Sequence, residues 1–254
     1  MSKIRIVTWN LRYSWDGDGI NSFIHRVGMI SDKILSEKPD IIAFQEVTEA
    51  IYKVIKQIMC GYTFVGHFRD KDYKGEGLFV AIRNESIDLL GTETIWLSPT
   101  PYISGSIFEC QSPCPRLCAM VQIRHKESER LMRVYNIHLD HISNEARVLG
   151  MNCAFKFIEQ YNAKLKLPCV ILGDFNATPE SSLIKMCNDY SGIEDITKAI
   201  PVTFHGFGKK EIKIDYIYMS DELSEYVNNV TAWKDEKDGI FLSDHYPICA
   251  EIEL

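Results

Sequence analysis

The sequence predicts an α/β fold in which two mostly antiparallel β-sheets pack face to face, with helices on their outer sides. Three observations carry this. Short apolar runs rich in β-branched residues recur from Ile4 to Leu254, and several are joined as hairpin-like pairs by charged turns. Helical stretches interrupt them irregularly, which excludes the strict strand–helix alternation of a closed α/β barrel. The 254 residues contain no Pro/Gly/Ser linker, repeat or low-complexity run, which places residues 1–254 in a single domain.

Ile4–Trp9 reads as a first strand that ends in Asn10-Leu11-Arg12. Asp16, Gly17, Asp18 and Gly19 make a loop, and Ser22–Glu37 carries Phe23, Val27, Ile30 and Ile34 at helical spacing. Pro39 breaks that helix. Ile41–Phe44 is a second buried strand, closed by Gln45-Glu46-Val47, and a helix runs from Thr48 to Met59 with Ile51, Ile55 and Ile58 on one face. Tyr62–Arg83 gives two strands around a charged turn; the second is Gly77–Arg83, with Glu76 at its start. Ile87–Leu97 is another strand. Pro99–Pro115, rich in proline and glycine, reads as a long binding loop.

Leu117–Ile123 and Leu131–Leu139 form a strand pair around Arg124-His125-Lys126-Glu127. Ser143 or Asn144 caps a helix that extends to Leu165. Cys169–Leu172 is short, apolar and β-branched, as suits a strand buried on both faces. It stops abruptly in Gly173-Asp174-Phe175-Asn176, after which Thr178, Pro179 and Glu180 read as N-cap, first helical residue and first-turn acid of a helix to Cys187. Thr203–Gly208 is a turn-rich loop, Ile212–Met219 a strand with Asp215 inside it, and Ile248–Leu254 the closing strand.

The net charge is −7, so the chain lacks the basic excess of a protein that holds bulk duplex nucleic acid. The N-terminus has no signal-peptide core, and no apolar stretch is long enough to span a membrane. Eight scattered cysteines in such a chain point to reduced thiols and a cytoplasmic location rather than a disulfide framework. Cys110, Cys114 and Cys118 are evenly spaced, but no C-x-x-C pair or close histidine accompanies them, so a structural zinc is disfavoured. A monomer is expected.

Polar residues gather where apolar strands end: Asn10, Glu46, His138, Asp174 with Asn176, and Asp244 with His245. Each alone reads as a turn residue, a solvated acid or a core histidine. Asp215 differs, because a carboxylate in a buried strand demands a partner, and His245 is the candidate. Together they form a chemical set. Glu46, Asp174, Asp244 and Asn10 are hard oxygen groups suited to Mg2+ or Mn2+. An Asp215–His245 pair would fix the imidazole tautomer and favour its charged form. Carboxylates, a divalent metal, two histidines and an asparagine suit attack of water on phosphorus.

The motifs T-W-N-L-R (Thr8–Arg12), Q-E-V (Gln45–Val47), N-I-H-L-D-H (Asn136–His141), G-D-F-N (Gly173–Asn176), I-D-Y-I (Ile214–Ile217) and S-D-H-Y-P (Ser243–Pro247) occur in this order across nearly the whole chain. In them the sequence resembles the endonuclease/exonuclease/phosphatase superfamily. The local wording of L-D-H-I-S-N-E-A-R, Trp96–Pro101 and T-F-H-G-F is most similar to a bacterial branch distantly akin to the deadenylases. The resemblance implies a four-layered, deoxyribonuclease-like α/β sandwich with the site where the two sheets open. It implies Glu46 as principal metal ligand, with Asn10 and Asp244 near the metal. Asp174 would orient or deprotonate the water, Asn176 and His138 bind the phosphate, and His245, held by Asp215, stabilise the transition state. Glu76 is expected as a partner of His138. Arg116, after Pro115, reads by default as a surface arginine, with contact to a second phosphate or an anionic substrate as the alternative, and His141 and His205 receive no role at this level.

The expected activity is therefore metal-dependent hydrolysis of a phosphate ester, on a small phosphorylated molecule or a single-stranded nucleic acid. The alternative is a non-catalytic member of the same fold that binds a phosphorylated ligand or a protein. Such a member would normally lose a ligand or the catalytic histidine, and here every position is filled.

Overall fold

Alternation along the strands decides the architecture. The computed structural model describes residues 2–254. Its strands are β1 Lys3–Asn10, β2 Ile41–Val47, β3 Tyr62–Phe68, β4 Gly77–Arg83, β5 Ile87–Trp96, β6 Leu117–His125, β7 Leu131–His138, β8 Cys169–Asp174, β9 Ile193–Asp195, β10 Asp215–Ser220, β11 Val227–Ala232, β12 Glu236–Lys237, β13 Ile240–Phe241 and β14 Ile248–Glu253. The helices are α1 Phe23–Glu37, α2 Glu49–Ile58, α3 Asn144–Asn162, α4 Ser182–Asp189 and the single turn α5 Asp221–Ser224.

Two six-stranded sheets result, in the orders β11-β14-β1-β2-β4-β3 and β5-β6-β7-β8-β10-β9, with β12 and β13 as a separate hairpin. In each sheet only the central pair is parallel, β1 with β2 and β7 with β8. All other neighbours are antiparallel. A parallel pair needs a crossover, and α1 and α3 are those crossovers. Each then lies on the outer face of its own sheet.

Three apolar layers follow. Ile4, Ile6, Ile41, Ala43, Val80, Val134, Val170, Leu172, Ile217 and Ile248 fill the space between the sheets. Trp9, Phe44, Ile30, Ile34, Ile51 and Ile55 bury α1 and α2 on the outside of the first sheet. Tyr135, Ile171, Phe175, Tyr216, Met151, Phe155, Ile158 and Leu183 bury α3 and α4 on the second. The result is the four-layered sandwich, and β8 sends Val170 and Leu172 inward and Cys169 and Ile171 outward, as a doubly buried strand must.

The two-residue period also sets the polar ends. Asn10 continues the inward parity of Ile4 and Ile6, Gln45 that of Ile41 and Ala43, Asn136 and His138 that of Met132 and Val134, and Asp174 that of Val170 and Leu172. Asp215 shares the parity of Ile217 and Met219. The inter-sheet layer is thus apolar in its middle and polar at one end. There Gln45 donates to Asn136 across the sheets at 2.8 Å, and Asn136 donates to the carbonyls of Phe44 and Phe79 at 3.0 Å each.

Several expectations need correction. The helix after β8 starts at Ser182, not Glu180: residues 178–181 form a turn, Ser181 N–H to Thr178 O, and the Ser181 hydroxyl accepts from Ile184 N–H. Its cap is therefore Ser181 rather than Thr178. Asp215 opens β10 instead of lying inside a strand, because Ile212 makes only an isolated bridge to Phe204. The helix expected to reach Leu165 ends at Asn162. The strands β9 and β11 and the β12–β13 hairpin were not legible in the pattern. No helix among the described residues is long and apolar enough to cross a membrane.

Candidate active site

The polar ends of β1, β2, β7, β8 and β10 and the segment before β14 converge on one cleft of about 540 Å³. Arg12, Tyr13, Glu46, Arg69, Glu76, Arg116, His138, His141, Asp174, Asn176, Phe204, Lys210, Asp244 and His245 line it. Register brings the pieces level: His138 and Asp215 both stand opposite Asp174 on adjoining strands.

Local backbone conformation aims these groups. Glu46 follows the outward-facing Phe44 in the alternation, so a regular strand would send it to the helix layer. Instead β2 shifts register between Phe44 and Val47, and Glu46 takes φ +58°. This left-handed residue in a bulge turns the carboxylate into the cleft. Gly173 has φ +141°, and a Cβ there would lie 1.8 Å from the Ile137 carbonyl oxygen, so β7 and β8 can meet beside Asp174 only through glycine. Asn176 has φ +50°, a conformation asparagine tolerates; its backbone N–H donates to Asp174 and its side-chain amide to Leu139 O at 3.1 Å.

Asp174 is 2 % exposed and lies at the centre. Asn10 Nδ2 donates to Asp174 Oδ2 and to Glu46 Oε1, each at 3.0 Å, and Glu46 Oε2 accepts from Tyr13 N–H. Those two bonds, helped by His245 and Arg12, keep Glu46 ionised below its ordinary range although burial opposes it. Asp174 goes the other way: burial, then the nearby Asp215 carboxylate, raise its pKa to about 7. Burial also opposes charge on His245, but Asp215, Asp174 and Asp244 outweigh it and raise its pKa to about 10. Its Nδ1 donates to Asp215 Oδ2 at 2.8 Å, and its Nε2 stands 3.9 Å from Asp174. Two N–H groups, of Ile214 and Asp215, donate to the Thr203 hydroxyl and fix that strand entrance.

Glu46, His138 and Asp174 offer ligand atoms within 4.8 Å of one another, as do Asp174, Asp215 and His245. The first group fits a hard divalent cation: the two carboxylates keep free lone pairs in a buried place, and Asn10 holds both. Asn10 itself turns its amide N–H groups toward the carboxylates, and its Oδ1 accepts from Arg12 N–H. Asp244 is one step away, accepting from the Ser243 hydroxyl at 3.2 Å and 3.7 Å from Arg12.

Glu76 is placed differently from expectation. It pairs with Arg69 at 2.6 Å rather than with His138, because Arg69 brings a full charge that a neutral imidazole lacks. The His138 Nε2 is taken by Arg116 at 3.0 Å, and Arg116 also meets His141 Nδ1 at 2.8 Å. Burial and the flanking guanidiniums keep both rings well toward their neutral forms. Arg12, the last residue of the T-W-N-L-R motif, also lines the cleft, as do Arg69 and Lys210, which carry no signal in the sequence beyond being ordinary surface cations. The eight cysteines are unpaired, and none joins a metal-type cluster among the described residues.

A family model for the endonuclease/exonuclease/phosphatase family matches residues 7–245. No curated protein matches significantly. A Bacteroides vulgatus endonuclease/exonuclease/phosphatase structure superposes with a TM-score of 0.91 at 25% identity, covering 100% of both chains. The Bacteroides thetaiotaomicron mannosyl-6-phosphatase Bt3783 gives a TM-score of 0.87 at 23% identity, over 99% of this chain and 100% of that one. D. rerio TDP2 complexed with single-strand DNA product gives 0.77 at 16% identity over 100% of each chain. Motif order, sandwich and site thus meet in one conclusion: the chain belongs to the endonuclease/exonuclease/phosphatase family.

Proposed function

We propose that this protein is a divalent-metal-dependent phosphoesterase that hydrolyses a phosphate ester by attack of water on phosphorus. The observation that carries this reading is the convergence of Glu46, His138 and Asp174 within 4.8 Å, beside the His245–Asp215 pair. Glu46 would hold Mg2+ or Mn2+, with Asp174 and the amide of Asn10 close by and Asp244 at the edge of the site. Bound there, the ion supplies positive charge against the phosphoryl oxygens.

The protein's own groups divide the remaining work. Asp174 takes the proton of the attacking water; a pKa raised to about 7 by burial and Asp215 suits that task near neutral pH. His245 stays charged at neutral pH and faces the same point, so it stabilises negative charge as it develops. Asp215 keeps the His245 proton in place through Nδ1. Asn176 receives a phosphoryl oxygen from the strand-end turn, and His138 orders the cationic side of the cleft through Arg116. The substrate is a small phosphorylated molecule or a single-stranded nucleic acid, a reading supported by the absence of a net basic charge. Unpaired cysteines favour a reducing, cytoplasmic setting.

The test is hydrolysis of p-nitrophenyl phosphate and bis(p-nitrophenyl) phosphate with and without metal. Turnover that needs Mg2+ or Mn2+, stops with EDTA and is lost in Glu46→Ala supports the reading. Turnover unchanged by EDTA and by Glu46→Ala overturns it.

A further inference from the structure

The Asp215–His245 pair is divided between the two sheets. Asp215 opens β10 of the second sheet, whereas His245 stands in the segment that enters β14 of the first. The two strands are not neighbours in either sheet, so no strand ladder sets the distance between them. The 2.8 Å bond from His245 Nδ1 to Asp215 Oδ2 therefore depends on how the two segments are held at the end where the sandwich opens. Such a bond weakens steeply with distance and misalignment, and the imidazole that loses it loses its fixed tautomer as well. The loop T-F-H-G-F, Thr203–Phe207, lies between the two segments and holds both.

Thr203 is fully buried. Its hydroxyl oxygen accepts from the N–H of Ile214 at 2.9 Å and from the N–H of Asp215 at 3.0 Å. A hydroxyl has two lone pairs, and these consecutive donors use both. The Thr203 carbonyl accepts from the N–H of Tyr246, the residue after His245, at 2.6 Å. One residue thus holds the backbone of Asp215 by its side chain and the backbone beside His245 by its main chain. The next residues continue the seam. Phe204 bridges Ile212 on one side and His245 on the other, with its ring centre 4.8 Å from the imidazole. The N–H groups of His205 and Gly206 both donate to the Asp244 carbonyl, at 2.9 and 3.0 Å. On the other flank the Ile214 carbonyl accepts from Phe175 N–H at 2.9 Å, which ties the same entrance to the residue after Asp174.

We propose that Thr203 is a positioning residue for the Asp215–His245 pair, a clamp that sets the Asp215 carboxylate against His245 Nδ1 across the opening between the sheets. Its effect on rate rests on the phosphoesterase reading, whereas its effect on the geometry of the pair does not. Thr203 is buried behind the cleft rather than in its lining, so it acts only through the residues it holds. The other ties of the loop are made by main-chain atoms that any residue would supply. The Thr203 hydroxyl is the part that the side chain decides. Without that oxygen, two adjacent N–H groups at the entrance to β10 lack an acceptor, and the entrance must shift to find one, carrying Asp215 with it. A residue that served stability alone would cost the same whether residue 215 is Asp or Asn. A positioning residue loses its effect on rate once the carboxylate it positions is gone.

The experiment compares Thr203→Ser, which keeps the oxygen, Thr203→Val, which keeps the shape without it, and Thr203→Cys, whose sulfur is a weak acceptor. In the first arm, proton NMR follows the hydrogen-bonded Nδ1 proton of His245, a far-downfield signal assigned by its absence from His245→Gln. It should be present in the wild type and Thr203→Ser, lost in Thr203→Val and weakened in Thr203→Cys. In the second arm, kinetics on p-nitrophenyl phosphate with saturating Mn2+ should show kcat reduced by roughly 10- to 100-fold in Thr203→Val, with KM changed by about threefold or less. Thr203→Ser should recover most of that loss. In an Asp215→Asn background, Thr203→Val should cost about threefold or less further. If Thr203→Val does not fold, Thr203→Cys decides, with a smaller loss in the same pattern. An unchanged signal or an unchanged kcat in the folded variant, a signal lost equally in Thr203→Ser, or an equal loss of rate in the Asp215→Asn background overturns the proposal. So does a wild type without the signal. Loss of the signal in Thr203→Val, with no turnover by the wild type, would uphold the clamp and overturn only the hydrolytic reading.

Discussion

Asn10 on β1 donates to Asp174 on β8 at 3.0 Å, so a single amide ties the end of one sheet to the end of the other. The same Nδ2 reaches Glu46 at 3.0 Å. Two carboxylates in a buried place repel, and Asn10 is the neutral donor that lets them stand together. Asn10→Ala should lower kcat by about 10- to 100-fold, the usual cost of removing a group that orients metal-site ligands. Steady-state kinetics with saturating Mn2+, alongside a metal titration, checks this; a change under about threefold in both would contradict it.

Asp215→Asn removes the charge that holds His245 protonated while keeping the shape of the pair. We expect kcat to fall by on the order of 10² to 10⁴, with KM changed by about threefold or less. The pH profile should move as well. In the wild type burial opposes the charge, but Asp215 raises the His245 pKa to about 10, so activity that needs the charged ring persists to alkaline pH. In Asp215→Asn the alkaline limb should shift to lower pH. An unshifted limb would remove His245 as its source.

Beneath the site, Gln45 and Asn136 join the sheets through buried amides. Asn136→Ala leaves the Phe44 and Phe79 carbonyls without that donor, while the Gln45 amide keeps Thr8 and the Ala43 carbonyl. Each unsatisfied buried group costs about 1–3 kcal/mol, and partial relaxation tempers the sum, so a total loss of roughly 2–4 kcal/mol is expected by urea denaturation. A loss below about 1 kcal/mol would show that the network does not brace the sandwich.

His205 should contribute to the loss of stability in acid. It is buried, accepts from Gly208 N–H through Nδ1 and stacks on Tyr246 with ring centres 4.0 Å apart. Burial, then the charge on His245, lowers its pKa to about 4, against 6.5 for an unhindered ring. Between those values the unfolded chain binds a proton that the folded protein does not. Stability from this residue is therefore present above about pH 6.5 and declines as pH falls toward 4, by at most roughly 1.4 kcal/mol per pH unit. His205→Asn should flatten that slope in urea midpoints measured from pH 7 to pH 5. An identical slope in wild type and variant would contradict it.

Much of the site was legible because it follows strand parity. Asn10, His138 and Asp174 continue inward-facing apolar series, and Asp215 begins one. Those series are visible in the sequence itself. Glu46 was recognised by its motif and not by parity: regular alternation would send it outward, and only the bulge at φ +58° turns it in. Glu76 lies in the cleft as expected but on Arg69, since sequence spacing cannot show which of two distant partners carries the greater charge. Arg116, by default a surface arginine in the sequence, is buried against His138 and His141 instead. That burial is a property of the folded neighbourhood, not of the residues beside it in the chain. The strands β9 and β11 escaped because they are short or half-exposed edge strands with little apolar periodicity.

The account turns on Asp174 as the group that takes the water proton. Its most direct test is the initial rate of Asp174→Asn on p-nitrophenyl phosphate with saturating Mg2+ or Mn2+, read beside the melting temperature. Asn keeps the shape and removes a charge that Asp215 already opposes, so the fold should be as stable as wild type or more so. The predicted result is a loss of about 10³-fold or more in kcat with an undiminished melting temperature. A folded Asp174→Asn variant within about tenfold of the wild-type rate would contradict the account.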